Sequence, residues 1–501
     1  MKEYLGIFLG LGIFIQVLLL PLDVALLPVS ARYTAAITLL MVVWWITEAL
    51  PIYATALVPL VLFPVFGVLS PDVAARAYAD QTVFLFMGGF FIAVTMQKWN
   101  LHRRIALFIV RRVGLETRKI VLGFMIATAF VSMWISNTAT AMMMTSIALA
   151  MVTTMAARDT EGDSGKYQSF STCLILGVAY AATIGGMATL IGTPPNGILI
   201  AQISSIFPEA PPIDFFSFML FATPLSALLL IITWLWLTYG AFRHLPPSLA
   251  QGKEIILEEA RKLGAMTKGE KLTLIVFVLT AFAWIFRTEK NIGAFTVPGI
   301  VTFIPGVQDA TIAITGALLL FLIPVDIKKK QFVLDWETAR QIPWGILVLF
   351  GGGICLSEGF LQSGLAAVIA DRLTIFRDFP ILLIVLLVLL VITFLNEIAS
   401  NTAIASIFIP LMAITSVSIG IHPFLFMIAG ALGSSLGFML PVGTPPNAIA
   451  YGTGYLTTKD MIRSGIALNI TGVILVTILV VTLVPRILGF SLELPTWAFG
   501  I

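Results

Sequence analysis

Charge is what this chain has least of. Only 11% of its 501 residues are Asp, Glu, Lys or Arg, against about 25% in a soluble globular protein. That scarcity excludes a string of soluble domains joined by polar linkers. Lys and Arg number 29 against 26 Asp and Glu, too small a surplus for a nucleic-acid binder, and no basic patch interleaved with aromatics is present. The two cysteines, Cys173 and Cys355, both sit in apolar runs, which excludes a disulfide framework and a cysteine-based metal centre. Three scattered histidines (His102, His244 and His422) fit no metal-ligand spacing. His-Glu-X-X-His, a Ser/His catalytic pairing and a nucleotide-binding glycine loop are also missing. An intramembrane enzyme and an ATP-driven pump therefore find no support, and the chain is not read as an enzyme.

Apolar residues are abundant. They make up 59% of the chain and fall into runs of about 20 residues, each enough to cross a bilayer. The N-terminal run Leu5–Leu20 lacks a small-residue cleavage site and is followed by another, Thr34–Ala49, so it reads as a first span rather than a signal peptide. Further spans are expected at Ile52–Leu69, Thr82–Met96, Ser171–Ile203, Phe215–Thr238, Leu272–Phe286, Thr311–Ile323, Gly345–Leu365, Phe424–Ala450 and Gly465–Val484. The central segment Gln251–Lys271 reads as a short amphipathic surface helix with solvated charges, and Phe207–Pro212, with its three prolines, as a rigid turn.

Two stretches, Ile120–Met155 and Pro380–Thr415, are too long for one straight span, and each has a polar break at its middle. Either both cross twice or both are re-entrant hairpins. Three basic groups help to choose: Lys98 to Lys119, Lys253 to Lys271, and Lys328 to Lys330. Counting each long stretch as a hairpin puts all three on the cytoplasmic side, with about eleven spans, the N-terminus inside and the C-terminus outside. Polar backbone at membrane depth is tolerated only where it is buried in protein or lines a cavity, so the hairpin reading is also a binding-site reading.

Three signatures occur twice in the same order. Met87-Gly88-Gly89 returns as Gly351-Gly352-Gly353, Ser136-Asn137-Thr138-Ala139 as Ser400-Asn401-Thr402-Ala403, and Gly192-Thr193-Pro194-Pro195-Asn196 as Gly443-Thr444-Pro445-Pro446-Asn447. An odd number of spans separates the halves, so the second copy is inverted. Inverted repeats with interrupted helices are the architecture of secondary transporters. The expected fold is thus an all-α polytopic membrane protein, an inverted repeat with two re-entrant hairpins.

The repeated motifs carry chemistry. Paired prolines break a helix, and the adjacent glycine allows the chain to unwind. Each Gly-Thr-Pro-Pro-Asn leaves free carbonyls on one side and a positive helix end on the other. Carbonyls and hydroxyls suit sodium; helix ends, hydroxyls and amides suit a carboxylate. Ser-Asn-Thr at a hairpin tip supplies two hydroxyls and an amide within three residues. Taken singly, such motifs are caps, turns or kinks; their ordered duplication inside apolar spans makes the binding reading the stronger one. The glycine clusters read as close-packing sites. Glu48, Glu358 and Glu397 are acidic residues near or within apolar runs and functional candidates by default. For Glu397 a structural cap at the second tip is preferred to proton coupling. Trp44-Trp45 reads as an interfacial or packing feature, and the cysteines as small core residues.

With these motifs in hand, the sequence closely resembles the divalent anion/sodium symporter family over nearly its whole length. The resemblance rests on Trp134-Ile135-Ser136-Asn137-Thr138-Ala139-Thr140, on Arg261-Lys262-Leu263-Gly264 with Gly269-Glu270-Lys271, on Ile342-Pro343-Trp344-Gly345, and on Gly443-Thr444-Pro445-Pro446-Asn447-Ala448-Ile449. It implies a homodimer in the plasma membrane that moves a dicarboxylate with sodium as co-transported ion. It implies a scaffold domain and a transport domain that carries substrate as an elevator. On that basis 1–80 would be scaffold, and 81–210 transport elements with a hairpin at about 120–155 and a broken helix at about 171–203. Residues 211–343 would be scaffold and cytoplasmic linker, 344–460 transport elements with a hairpin at about 380–415 and a broken helix at about 424–455, and 461–501 the C-terminal helix. Ser136, Asn137, Thr138, Ser400, Asn401 and Thr402 would line the carboxylate site, completed by Thr193 and Thr444. A first sodium site would use Ser132, Ser136, Asn137 and the backbone of Gly192. A second would use Ala399, Asn401, the backbone of Gly443, and Asn396, where sodium-coupled relatives commonly have threonine. That departure keeps sodium-independent dicarboxylate exchange open beside symport of C4-dicarboxylates. An anion channel is the alternative from another class, and the residues do not choose among C4-dicarboxylates, citrate and sulfate.

Overall fold

The computed structural model describes residues 2–20, 27–114, 116–156, 164–246, 250–292 and 295–499. The chain is helical almost throughout. Seven helical segments among the described residues are long and apolar enough to cross a bilayer, and shorter apolar helices such as Asp309–Leu322 and Ile381–Asn396 join them. The N-terminal part contains α1 (Lys2–Leu19), α2 (Val29–Thr47), α3 (Ile52–Thr55), α4 (Val58–Val65) and α5 (Pro71–Ala77). The single span expected over Ile52–Leu69 is therefore divided, with prolines at 51, 59 and 64 interrupting or bending it. Glu48 is exposed and takes a left-handed conformation that closes α2, so it terminates a helix. Trp45 is buried and its indole N–H donates to the Ile52 carbonyl at 3.0 Å, which settles its role as packing.

Next come α6 (Gln81–Lys98), α7 (Leu101–Val113), α8 (Thr117–Ser132) and α9 (Asn137–Ala156), then α10 (Ser164–Gly186) and α11 (Pro194–Ile206). Helices α8 and α9 form the first hairpin, with its turn at residues 133–136. Helices α10 and α11 are the two halves of the first broken helix, unwound over 187–193. The middle of the chain holds α12 (Phe215–Leu235), α13 (Ala250–Lys262), α14 (Lys268–Ile285), α15 (Ile300–Phe303), α16 (Asp309–Leu322) and α17 (Trp336–Ala339), with two small antiparallel β-hairpins. The second half repeats the plan. It has α18 (Trp344–Gln362), α19 (Leu365–Leu373), the hairpin α20 (Ile381–Asn396) and α21 (Asn401–Ser418), and the broken pair α22 (Pro423–Gly433) and α23 (Pro445–Gly452). Helix α24 (Thr458–Ile478) follows.

Each hairpin packs on the broken helix that follows it: α8 and α9 on α10, α20 and α21 on α22. The halves also interlock, since α23 lies on α9 and α10, and α11 on α21. Helices α12 and α24 pack on each other and on these elements, α12 on α8 and α10, α24 on α20 and α22. The glycine clusters serve packing: a Cβ on Gly88 would run into the backbone of Ala313, and one on Gly352 into the carbonyl of Ala56. In both places two helices cross at backbone distance.

Candidate functional site

The expected dianion residues occupy equivalent places on four helices. Ser136 immediately precedes α9, and Asn137 and Thr138 are its first two residues; Ser400 is the N-cap of α21, and Asn401 and Thr402 follow. Thr193 and Thr444 are the N-caps of α11 and α23. All eight thus stand at helix N-termini, where backbone N–H groups and the positive end of the macrodipole favour an anion. Neither Thr193 nor Ser400 caps its own helix with its side chain. No Lys or Arg lies in any of the four motifs.

Why the chain unwinds where it does is visible in one repeated device. The Asn196 side-chain amide donates to the carbonyls of Thr189 (2.7 Å), Gly186 (3.3 Å) and Met187 (3.4 Å). In the second half Asn447 donates to Leu440 (3.0 Å) and Gly437 (3.1 Å). The spacings to the accepting residues, seven and ten positions back, are the same in both copies. The final Asn of each motif therefore ties off carbonyls that the broken helix cannot pair internally.

At the first tip oxygens converge. Ser132 Oγ donates to the Ala182 carbonyl at 2.7 Å. One terminal atom of the Asn137 amide lies 2.7 Å from Ser132 Oγ, 3.1 Å from the Ala182 carbonyl and 3.3 Å from the Gly192 carbonyl. That atom faces acceptors, so it is the amide nitrogen, whose two N–H groups are shared among the three oxygens; with the amide turned over, Oδ1 would join them in the kind of oxygen set a hard cation takes. Gly186 makes this possible, since a Cβ there would strike the Asn137 amide. The structure thus brings together Ser132, Asn137 and the Gly192 backbone. Ser136 Oγ instead meets the Ala139 N–H at 3.4 Å. The Ala182 carbonyl and Gly186 carry no sequence signal of their own, apart from lying in the helix before the repeated motif.

The second tip is built differently. Glu397 is buried, and its carboxylate accepts from the N–H groups of Phe438 (2.8 Å), Met439 (2.9 Å) and Leu440 (2.8 Å), and from the Asn469 amide of α24 (2.6 Å). The structural role expected for Glu397 is the one it plays, although the donors it satisfies belong to the unwound segment and not to its own tip. In the first half, Met133 occupies the equivalent place in the hairpin, and the bond runs the other way: Thr189 Oγ donates to the Met133 carbonyl. Tip and unwound segment are therefore tied in both halves, by a loop hydroxyl in one and a tip carboxylate in the other. Asn396 is fully buried beside Gly437, and neither its amide nitrogen nor its oxygen has a partner among the described residues. Asn401 Oδ1 is likewise unpartnered. Three amide atoms at this tip, both of Asn396 and the Oδ1 of half-buried Asn401, are thus buried without a protein partner.

The family model described as the sodium:sulfate symporter transmembrane region matches residues 1–489. The chain belongs to the sodium:sulfate symporter family. It is 41% identical over 497 residues to the sodium-dependent dicarboxylate transporter SdcS of Staphylococcus saprophyticus, covering 98% of this chain and 93% of that one. The SdcS protein of Staphylococcus aureus strain MRSA252 is 40% identical over the same share of each chain. Two solved structures share the fold at low identity. The Alcanivorax borkumensis YdaH transporter has a TM-score of 0.53 at 16% identity, covering 89% of this chain and 97% of that one. MtrF of Neisseria gonorrhoeae, from a study of antimetabolite efflux pumps, has a TM-score of 0.55 at 12% identity, covering 86% of this chain and 85% of that one.

Among the family motifs, the central one is explained by a clamp away from the tips. Arg104 of α7 pairs with Glu270 through its Nε at 2.8 Å and Nη2 at 3.2 Å, and donates to the carbonyls of Leu263 and Gly264. Glu270 also closes a capping box with Thr267 at the start of α14, and Gly269 lies flat against the Trp99 ring. Burial would raise the Glu270 carboxyl, but the Arg104 and Thr267 bonds outweigh it and hold the group below its ordinary value. The amphipathic helix expected over Gln251–Lys271 therefore stops at Lys262: Gly264 turns left-handed and Thr267 starts a new helix. Nor are its charges simply solvated, since Glu259 pairs with Arg103 and Lys262. At the first tip, the family's Trp134 lies 6.1 Å from Phe215 in a stacked pair and 4.9 Å from Phe277 edge-on, which seats the tip against α12 and α14.

Proposed function

We propose that this protein is a plasma-membrane symporter that moves C4-dicarboxylates such as succinate, malate or fumarate, driven by the sodium gradient. The observation that carries the reading is the placement of all eight motif residues at four helix N-termini with no fixed cation among them. Each pair of motifs offers hydroxyls, an amide and free N–H groups to one carboxylate, and two such pairs suit a dianion. Backbone dipoles supply only part of a unit charge at each helix end, so a second negative charge needs cations bound close by. The Ser132–Asn137–Ala182–Gly192 oxygen cluster supplies the first such position, with Ser136 at its edge. Asn396, Ala399, Asn401 and the Gly443 backbone form the second. Sodium enters as co-substrate and leaves with the dianion. The 40–41% identity to sodium-dependent dicarboxylate transporters supports both substrates.

Movement follows the packing. Helix α6 lies on α16, and α18 on α4 and α5. Helices α6 and α18, counted from the sequence among the transport elements 81–210 and 344–460, are therefore assigned here to the scaffold. The two hairpins and two broken helices form one interlocked body that carries the site across, while the remaining helices stay as a scaffold that also holds a homodimer together. The N-terminus lies in the cytoplasm and the C-terminus outside. Uptake of labelled succinate into proteoliposomes, with and without an inward sodium gradient, tests the function. Saturable uptake that collapses without sodium is the expected result. Sodium-independent uptake that needs internal dicarboxylate would replace symport with exchange, and flux that does not saturate would replace both with a channel.

A further inference from the structure

A wide cavity lies beside the first broken helix, away from the two tips. It encloses about 760 Å³ between α6, α11 and α16, and extends from Pro208 and Pro212 to Leu190, two residues before Gly192. Among the described residues its walls carry five charged side chains: Arg76, Asp80, Asp214, Arg287 and Asp309. The three carboxylates are spent on donors of the protein. Asp80 accepts from the Thr82 N–H at 2.8 Å, and Asp309 from the Phe215 N–H at 3.0 Å. Asp214 accepts from the Ser217 N–H at 2.7 Å and the Thr288 hydroxyl at 2.9 Å.

The two guanidinium groups are not spent. The Arg287 side chain is only 12% exposed, with Nε 2.7 Å from Asp309 Oδ1 and Nη2 3.6 Å from Asp214 Oδ2. Those approaches balance its charge, but neither is aligned as a hydrogen bond, and the buried Nε is left without one. Arg76, exposed on α5, has neither an ion pair nor a hydrogen bond among the described residues. Lys290, on the Thr288 hydroxyl at 2.8 Å, brings the group around Arg287 to two cations and two carboxylates, and Arg76 offsets Asp80. The cavity is therefore neutral, with its acceptors occupied and its guanidinium N–H groups free. Such a site takes an anion, and each planar fork fits one carboxylate.

We infer that this cavity is a second, weaker site for a small dicarboxylate, with Arg287 holding one carboxylate and Arg76 the other. The substrate class rests on the transporter reading above. A dianion held here stands next to the unwound segment 187–193 on its way to the tips. Unlike the tips, the site has fixed cations, so it should bind without sodium, with an affinity on the order of millimolar for two charge-assisted contacts facing water.

The test uses the full-length protein in detergent, with Cys173 and Cys355 replaced and Ser204→Cys on the cavity wall as reporter; Gln308→Cys, on another wall, is a second reporter. Labelling by the uncharged reagent methyl methanethiosulfonate is timed in choline in place of sodium. Succinate should slow it saturably, butyrate should not, and the protection should survive Asn137→Ala with Asn401→Ala. Arg76→Gln should raise the half-protecting succinate concentration about tenfold. Arg287→Lys, which keeps the charge beside Asp214 and Asp309 but loses the fork, should raise it as well. Equal protection by butyrate, half-protection unchanged in both arginine variants, or protection lost with the tip asparagines would overturn the site. So would failure of both reporters to react. Wild-type proteoliposomes that take up no succinate would overturn the transport reading and leave this protection intact.

Discussion

At Asn137 the proposed cation site comes down to one side chain. Its amide meets Ser132 Oγ, the Ala182 carbonyl and the Gly192 carbonyl within 3.3 Å, so in the proposed site it would close the first cation position and open α9 toward the anion. Asn137→Ala and Asn401→Ala should each abolish saturable succinate uptake while the protein still elutes as a folded species; wild-type kinetics in both would remove the site assignment. Asn396 stands where the resemblance drawn from the sequence implies threonine in sodium-coupled members. Asn396→Thr should keep succinate uptake and lower the sodium concentration for half-maximal rate, because a hydroxyl oxygen replaces an amide whose N–H₂ competes with the ion. Glu397 differs in kind. Glu397→Ala strips the partner from the N–H groups of Met439 and Leu440, at about 1–3 kcal/mol for each donor left unsatisfied, while the Phe438 N–H keeps Asn469 Oδ1 at 3.2 Å. Its first effect should be loss of thermal stability in detergent rather than altered sodium dependence.

Among the elements, the helix pair α7 and α14 is held by half-buried Arg104 on buried Glu270. Arg104→Ala leaves a carboxylate that is 3% exposed without its cation, a loss of roughly 3 kcal/mol. A fall of several degrees in melting temperature should follow, with Glu270→Gln milder. The pH dependence has a definite sign. Glu270 is held below its ordinary value of 4.5, so its contribution is complete above that pH and lost as the solution is acidified below it. Asp335 behaves likewise: burial opposes ionisation, but Lys98 and the Thr338 N–H hold it down to about 2. At this scale the sequence was legible wherever a motif repeated. Both hairpins and both broken helices follow from Ser-Asn-Thr and Gly-Thr-Pro-Pro-Asn, because proline and glycine act on their own backbone. The Glu397 cradle, the Thr189–Met133 bond and the Ala182 carbonyl were not legible, since each joins segments about 40 to 56 residues apart through backbone groups that any residue carries. Helices α7 and α19 were hidden by their charge and shortness, and the pairing of Glu259 and Glu270 needed the tertiary fold to bring Arg103 and Arg104 alongside.

For the whole molecule, the proposed elevator requires the interlocked hairpins and broken helices to move past their neighbours. Helix α11 meets α18 through Ser205 Oγ, which donates to Glu358 at 3.0 Å, and through the buried Gln202–Ser357 pair. Cysteines at 205 and 358, in a chain with Cys173 and Cys355 replaced, should arrest uptake when cross-linked and recover it on reduction; undiminished transport in the cross-linked protein would rule out sliding at this interface. The proposed site contains helix ends and amides but no Lys or Arg, so the low charge of the chain extends into it. A dianion bound there would depend on co-bound cations. Equilibrium binding of labelled succinate to the purified full-length protein, measured against sodium concentration with choline as replacement, tests that most directly. Affinity should rise steeply with sodium and be lost without it; succinate binding equally tight in choline would contradict the account.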